Sequence, residues 1–323
     1  MLGAVDALRD HAGQVASTEG DNDATPRSGV GFEVRRKAVV EQFVDGNWKC
    51  DSGDARSCPG CGRLEKGRRH EGSVCKPERS GMTARRRSDR VRVKRSRGGV
   101  ALKINGTFAS WYRPGRVSTG SVWDALVAPL AWLPKARRRN VLILGLGGGS
   151  AARLVRAIAP EARIVGVEAS AAVLKAARRH FELDALGVEV VCGDAQRYLA
   201  KSRRHFDLVI EDVFIGTEAS IRKPLWLPEE GLVRAARRLR PGGVLVSNTI
   251  DETSEVASVL RKLLPTTLRI GVRDYDNRIL VAGPRGLDAR ALRSAVASQP
   301  VLAASLERFS IRLVPRTPRH SSA

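Results

Sequence analysis

Apolar and polar positions divide the chain near residue 85. Before it, Gly, Ser, Asp and Arg dominate and apolar periodicity is weak, residues 32–44 excepted, so residues 1–84 read as a low-order extension. After it the pattern becomes regular. Arg90-Val-Arg-Val-Lys94 alternates, Gly98-Gly99 turns, and Val100 to Asn105 returns, which predicts a hairpin. Asn105-Gly106 gives a second turn signal before Thr107 to Trp111, and Gly120 to Trp132 carries the apolar face of a helix ended by Pro134. From Val141 strand and helix signals alternate, which predicts a mostly parallel sheet. Strands are expected at 141–144, 163–168, 188–191, 206–211 and 244–247, and helices at 151–158, 171–181, 229–239 and 256–264. Segments 268–272 and 278–282 read as a closing antiparallel pair, giving a Rossmann-like α/β sheet of seven strands. The expected divisions are 1–84, a hairpin unit with its linking helix over 85–133, the Rossmann-like domain over 134–286, and a C-terminal helix with a basic tail over 287–323.

Three features fall in order at strand ends. The turn after the first parallel strand, Gly145-Leu-Gly-Gly-Gly-Ser150, lets a ligand approach the backbone beside a helix N-terminus; Gly145, Gly147 and Gly149 are its candidate contacts. Glu168 ends the next strand, where an acid can accept two hydrogen bonds from ribose hydroxyls. Asp194 and Ala195 follow the third strand, where a side chain can reach an adenine amino group. Taken singly, Glu168 reads equally as a helix cap and Asp194 as a turn residue. A nicotinamide-binding domain shares the first two features. Asp194 and the Pro241-Gly-Gly turn favour S-adenosylmethionine or its decarboxylated form as cofactor.

Residues 90–283 resemble the spermidine synthase (polyamine aminopropyltransferase) family, a branch of the class I methyltransferase fold. The resemblance rests on Leu102-Lys-Ile-Asn-Gly-Thr-Phe-Ala-Ser110, the helix before Val141, Val141 to Gly149, Val167-Glu168, Gly193-Asp194-Ala195 and Phe206-Asp-Leu-Val-Ile-Glu-Asp212. It implies that Glu168 binds ribose, that Asp194 and Ala195 lie beside adenine, and that Asp212 stands at the reacting centre as a base. It also implies a homodimer. The departures fall on the acids. The family has an acid in the glycine loop, where this chain has Gly148; a second acid after the fourth strand, where it has Ile215; and a Tyr before the helix, where Val122-Trp123-Asp124 keeps only the acid. A dicationic polyamine needs carboxylates to offset its desolvation. We therefore expect methyl transfer to an unidentified small-molecule acceptor, with spermidine synthesis from putrescine and a non-enzymatic nucleic-acid-binding protein as alternatives. Asp124, Glu211 and Trp226 are the candidate acceptor contacts, with Arg222, Lys223 and Glu218 nearby; for Glu211 an exposed or sheet-end charge is the competing reading.

Composition changes this picture little. Hydrophobic residues make up 42%, enough for a full core. The net charge of +22 raises the prior for an acidic partner, yet scattered Arg is commonly solvated surface, so nucleic acid is not expected as a partner. The densest basic run is 85–97. No run of eighteen apolar residues suggests a membrane span, and the first twenty residues do not read as a signal peptide, from which a cytoplasmic protein is expected. Cys50, Cys58, Cys61 and Cys75, with His70 between, offer four thiols for a tetrahedral zinc site but lack the second close pair of a zinc ribbon; they read as free thiols, with structural zinc as the alternative, and no metal is expected. Met82, the only methionine besides Met1, precedes the regular pattern and is a candidate functional start.

Overall fold

The structure is a computed structural model that describes residues 89–315. The low-order extension, its four cysteines and Met82 lie outside the described residues.

Three strands, β1 (Val91–Ser96), β2 (Gly99–Ile104) and β3 (Thr107–Tyr112), form a small antiparallel sheet. Its second turn is the two-residue Asn-Gly type, with Asn105 at φ 50° and Gly106 at φ 92°, a backbone that matches the twist of the strands it joins. The apolar face of this sheet (Leu102, Ile104, Ala109 and Tyr112) packs on Val173 and Phe181 and on Phe214 and Ile221. The unit is thereby held over the loops of the larger sheet.

That sheet has eight strands in the order β11-β9-β10-β8-β7-β4-β5-β6. Five run parallel: β4 (Asn140–Leu144), β5 (Arg163–Glu168), β6 (Val188–Cys192), β7 (Phe206–Glu211) and β8 (Leu239–Thr249). β10 (Arg278–Gly283) is antiparallel to both β8 and β9 (Thr266–Val272), the expected closing pair. β11 (Phe309–Leu313) adds an eighth strand where seven were expected, pairing with β9 at the sheet's edge. One face is covered by α1 (Val122–Trp132), α2 (Ser150–Ile158) and α7 (Ala289–Ala297), the other by α4 (Ala195–Lys201), α5 (Leu232–Ala236) and α6 (Thr253–Leu263). α1 is buried at ten of its eleven positions, as a helix apolar on all sides must be. α3 (Ala171–Phe181) lies where expected, and Ser170 caps it by accepting the Val173 N–H.

Two expectations are corrected. The helix foreseen over 229–239 is a single wide turn, Leu227–Gly231, followed by α5, which stops at Ala236. Pro241-Gly-Gly is not a turn before the fifth strand but a bulge inside β8: Leu239 pairs with Phe206, and Val244 already pairs with Leu208. Gly242, at φ 73°, takes the left-handed conformation that the bulge requires.

Candidate active site

β4 lies between β5 and β7, so the chain leaves the sheet in opposite directions around it and opens a crevice at the strands' C-terminal ends. The glycine loop fills this point. Gly145 has φ 82°, and a Cβ there would stand 2.4 Å from the carbonyl oxygen of Asp212, so only glycine lets the loop pass the end of β7. Gly149, at φ 87°, is the N-cap of α2.

Glu168 is 1% exposed and its two oxygens take separate backbone donors, Oε2 from the Gly147 N–H at 2.9 Å and Oε1 from the Ser170 N–H at 3.0 Å. A carboxylate has about four lone-pair positions, so each oxygen keeps one for a ligand hydroxyl. Burial pushes its carboxyl up to about 7, against the pull of those amides. Asp194 caps α4 by accepting the Arg197 N–H at 2.9 Å through Oδ1, and Ala195 is buried beside it. Gly147, Glu168 and the Asp194-Ala195 turn therefore fit the adenosine half of a nucleotide cofactor.

Asp212, one residue past β7, is 2% exposed. Its Oδ1 accepts the Asn248 Nδ2–H at 2.7 Å, and Asn248 Oδ1 in turn accepts the Asn277 Nδ2–H at 2.9 Å. The Trp123 side chain adds a further hydrogen bond. Burial pushes the carboxyl up to about 7, opposed by the Asn248 bond and the Lys223 charge.

The other acceptor candidates have their polar groups turned to the chain itself. Asp124 Oδ1 accepts from Thr119 N–H and Oγ1, and its Oδ2 from Ser118 Oγ, Gly120 N–H and Ser305 Oγ, tying the 118–120 loop to the C-terminal region. Glu211 is fully buried rather than exposed, and it holds the buried Lys223 ammonium at 2.6 and 2.8 Å, with Ser247 Oγ and the Val213 N–H as further donors. Lys223 completes its bonds on Val213 O at 3.1 Å and lies 3.9 Å from the Phe214 ring centroid. Trp226 packs on Gly231, where a Cβ would meet its ring at 2.5 Å. Glu218 rests against the Asn105-Gly106 turn, and Arg222 is exposed. Ile215 pairs with Arg222 and presents no acid.

Ser110, Asn248 and Asn277 escaped the sequence reading. Ser110 comes from β3 to accept the Gly148 N–H at 2.7 Å, and a Cβ on Gly148 would meet Ser110 Cβ at 2.8 Å. The small sheet thus closes over Gly148 and leaves no room for a side chain there. Asn248 had one legible signal, its position at the end of a buried strand beside Asp212.

Comparison with known proteins agrees with this geometry. Residues 141–243 match the methyltransferase domain family. A probable spermidine synthase from Corynebacterium glutamicum superposes with a TM-score of 0.56 at 19% identity, covering 70% of this chain and 88% of that one. The chain has the spermidine synthase fold, of the class I methyltransferase type. Among curated relatives, an eEF1A lysine and N-terminal methyltransferase homolog of Drosophila pseudoobscura pseudoobscura is 28% identical over 171 residues, 50% of this chain and 25% of that protein. A polyamine aminopropyltransferase of Chromobacterium violaceum is 30% identical over 128 residues, 39% of this chain and 48% of that protein. The chain thus spans about a quarter to a half of these relatives' length.

The two buried carboxyls make stability depend on pH. Their folded values, about 7, lie above the ordinary 4.5 and 3.8 of Glu168 and Asp212. The folded chain therefore keeps protons that the unfolded chain has released, and the stability this contributes is full below about pH 4 and lost as the pH rises toward about 7. Urea unfolding is expected to show a higher midpoint near pH 5 than near pH 8. A Glu168→Gln, Asp212→Asn double variant should flatten that difference; an unchanged slope would assign it to other groups.

Proposed function

We propose that this chain is a transferase that holds S-adenosylmethionine and methylates a small-molecule acceptor. The observation that carries the reading is the closure of Gly148 by Ser110, which removes the acid that the family uses for an aminopropyl nitrogen. The acceptor side agrees. Glu211 is neutralised by Lys223, and position 215 is apolar, so the buried carboxylates at the end of β7 are reduced to Asp212, which forms no ion pair of its own among the described residues. Such a lining disfavours a diamine, whose two charges would each need a partner on desolvation.

In this reading Glu168 holds the ribose hydroxyls, the Asp194-Ala195 turn meets the adenine, and the glycine loop supports the remainder. When bound, the cofactor supplies a methyl group on a sulfonium sulfur, which needs no activation by the protein. The chain's own work is positioning, exclusion of water and handling of the acceptor's proton. Asp212 takes that proton. Its carboxyl is held at about 7, matched to a base working near neutral pH, and Asn248 and Trp123 fix its orientation.

Calorimetric titration with S-adenosylmethionine and with its decarboxylated form tests the reading. The intact form is expected to bind at least tenfold tighter. Preference for the decarboxylated form would replace methyl by aminopropyl transfer, the activity in the names of several relatives. Binding of neither would remove the transferase reading.

A further inference from the structure

The strands β9 and β11 build a second feature, on the edge of the sheet and independent of the proposed transfer. Their register sets Arg312 directly opposite Arg269, and Ser310 opposite Gly271. One step further, the Arg273 N–H donates to the Arg308 carbonyl at 2.9 Å. Alternate residues of a strand point to one face, so this face shows three rungs in succession: arginine with arginine, glycine with serine, arginine with arginine. The outer rungs stand about 13 Å apart, four residues along a strand. Gly271 and Ser310 leave a low floor between them, which the neighbouring β10 flanks with Arg278. These residues, with Tyr275 and Phe309, line a cleft of about 530 Å³.

Like charges facing each other across a strand pair destabilise it, so Arg269 and Arg312 call for a structural or a binding reason. Among the described residues neither has an acidic partner, and both are exposed. Of the two acids lining the cleft, Asp274 is spent on Arg308 at 3.0 Å. What would relieve such a face is a chain of repeated negative charges, thin enough to enter between the rungs. Arginine pairs in forked fashion with phosphate, and grooves that combine it with aromatic residues suit single strands of nucleic acid.

We propose that the cleft between β9 and β11 binds a single-stranded nucleic acid through its phosphates. A net charge of +22 supports the encounter but cannot place it. The rungs do, because they gather arginines from residues 269 to 312 that no linear run in the sequence displays.

Fluorescence anisotropy of the full chain with labelled twenty-nucleotide oligouridine and oligothymidine, from about 50 to about 300 mM KCl, tests this. Binding is expected to weaken steeply with salt, and the Arg269→Glu, Arg312→Glu double variant to weaken it at least tenfold. Arg312→Glu alone sets an opposite charge against Arg269 and so favours the strand pairing; it should also weaken binding, which separates loss of the site from loss of fold. The control is Arg92→Glu, Lys94→Glu on exposed β1, which changes the net charge equally and should stay within threefold of the unmodified chain. Absence of binding at the lowest salt would overturn the proposal. So would a control that loses as much as the double variant, or equal competition by polyglutamate, which would indicate an acidic protein partner.

Discussion

Replacing Lys223 by methionine is expected to lower stability by about 3–5 kcal/mol, the usual cost of removing one partner from a buried ion pair. The side chains of Lys223 and Glu211 are 1% and 0% exposed, so no water can take over the lost bonds. Glu211 would keep the Val213 N–H and Ser247 Oγ donors but lose the only cation bonded to it among the described residues. It can escape by taking up a proton, so the loss should grow as the pH rises. Adding Glu211→Gln removes the stranded charge and retains an acceptor for the Val213 N–H, and should recover the larger part. Urea unfolding of the parent and the two variants measures this. A single variant within about 1 kcal/mol of the parent would show that the pair contributes little beyond its packing.

Asp212→Asn is expected to reduce kcat of the proposed transfer by about 10²–10⁴-fold, the range for a positioned base. The substitution keeps an oxygen for the Asn248 donor, so fold and nucleotide binding should change little. The discriminating readout is the pH profile. With Asp212 at about 7, the rate should climb with pH up to that value and then level off. The variant's residual rate should lack that limb. A variant that keeps both rate and limb would leave Asp212 a structural residue.

The fold was legible wherever local periodicity and turn chemistry decide it. The hairpin, the Asn105-Gly106 turn and the strands through β7 came from alternation, short apolar runs and glycine positions. What failed depended on partners distant in sequence. Pro241-Gly-Gly reads locally as a turn, yet β7 extends far enough to pair on both sides of it. β11 is short and half polar, and only β9 makes a strand of it. In the candidate site, Glu168, Asp194 and Asp212 were legible as candidates because strand ends announce them. Lys223 was assigned to the acceptor lining, since nothing in the sequence says that its charge would be consumed by Glu211. Ser110 was invisible for the same reason: its role exists only once β3 is laid across the glycine loop.

The edge position of β11 also sets the order in which the molecule loosens. β4 and β7 are bonded on both sides and buried but for Asn140 at the start of β4, so their amides exchange only when the whole sheet opens. β11 is bonded on one side only, through a rung where two arginines repel. Its detachment needs no disruption of the parallel core, which makes it the low-energy opening of the sheet and the strand whose amide protons should exchange with solvent first.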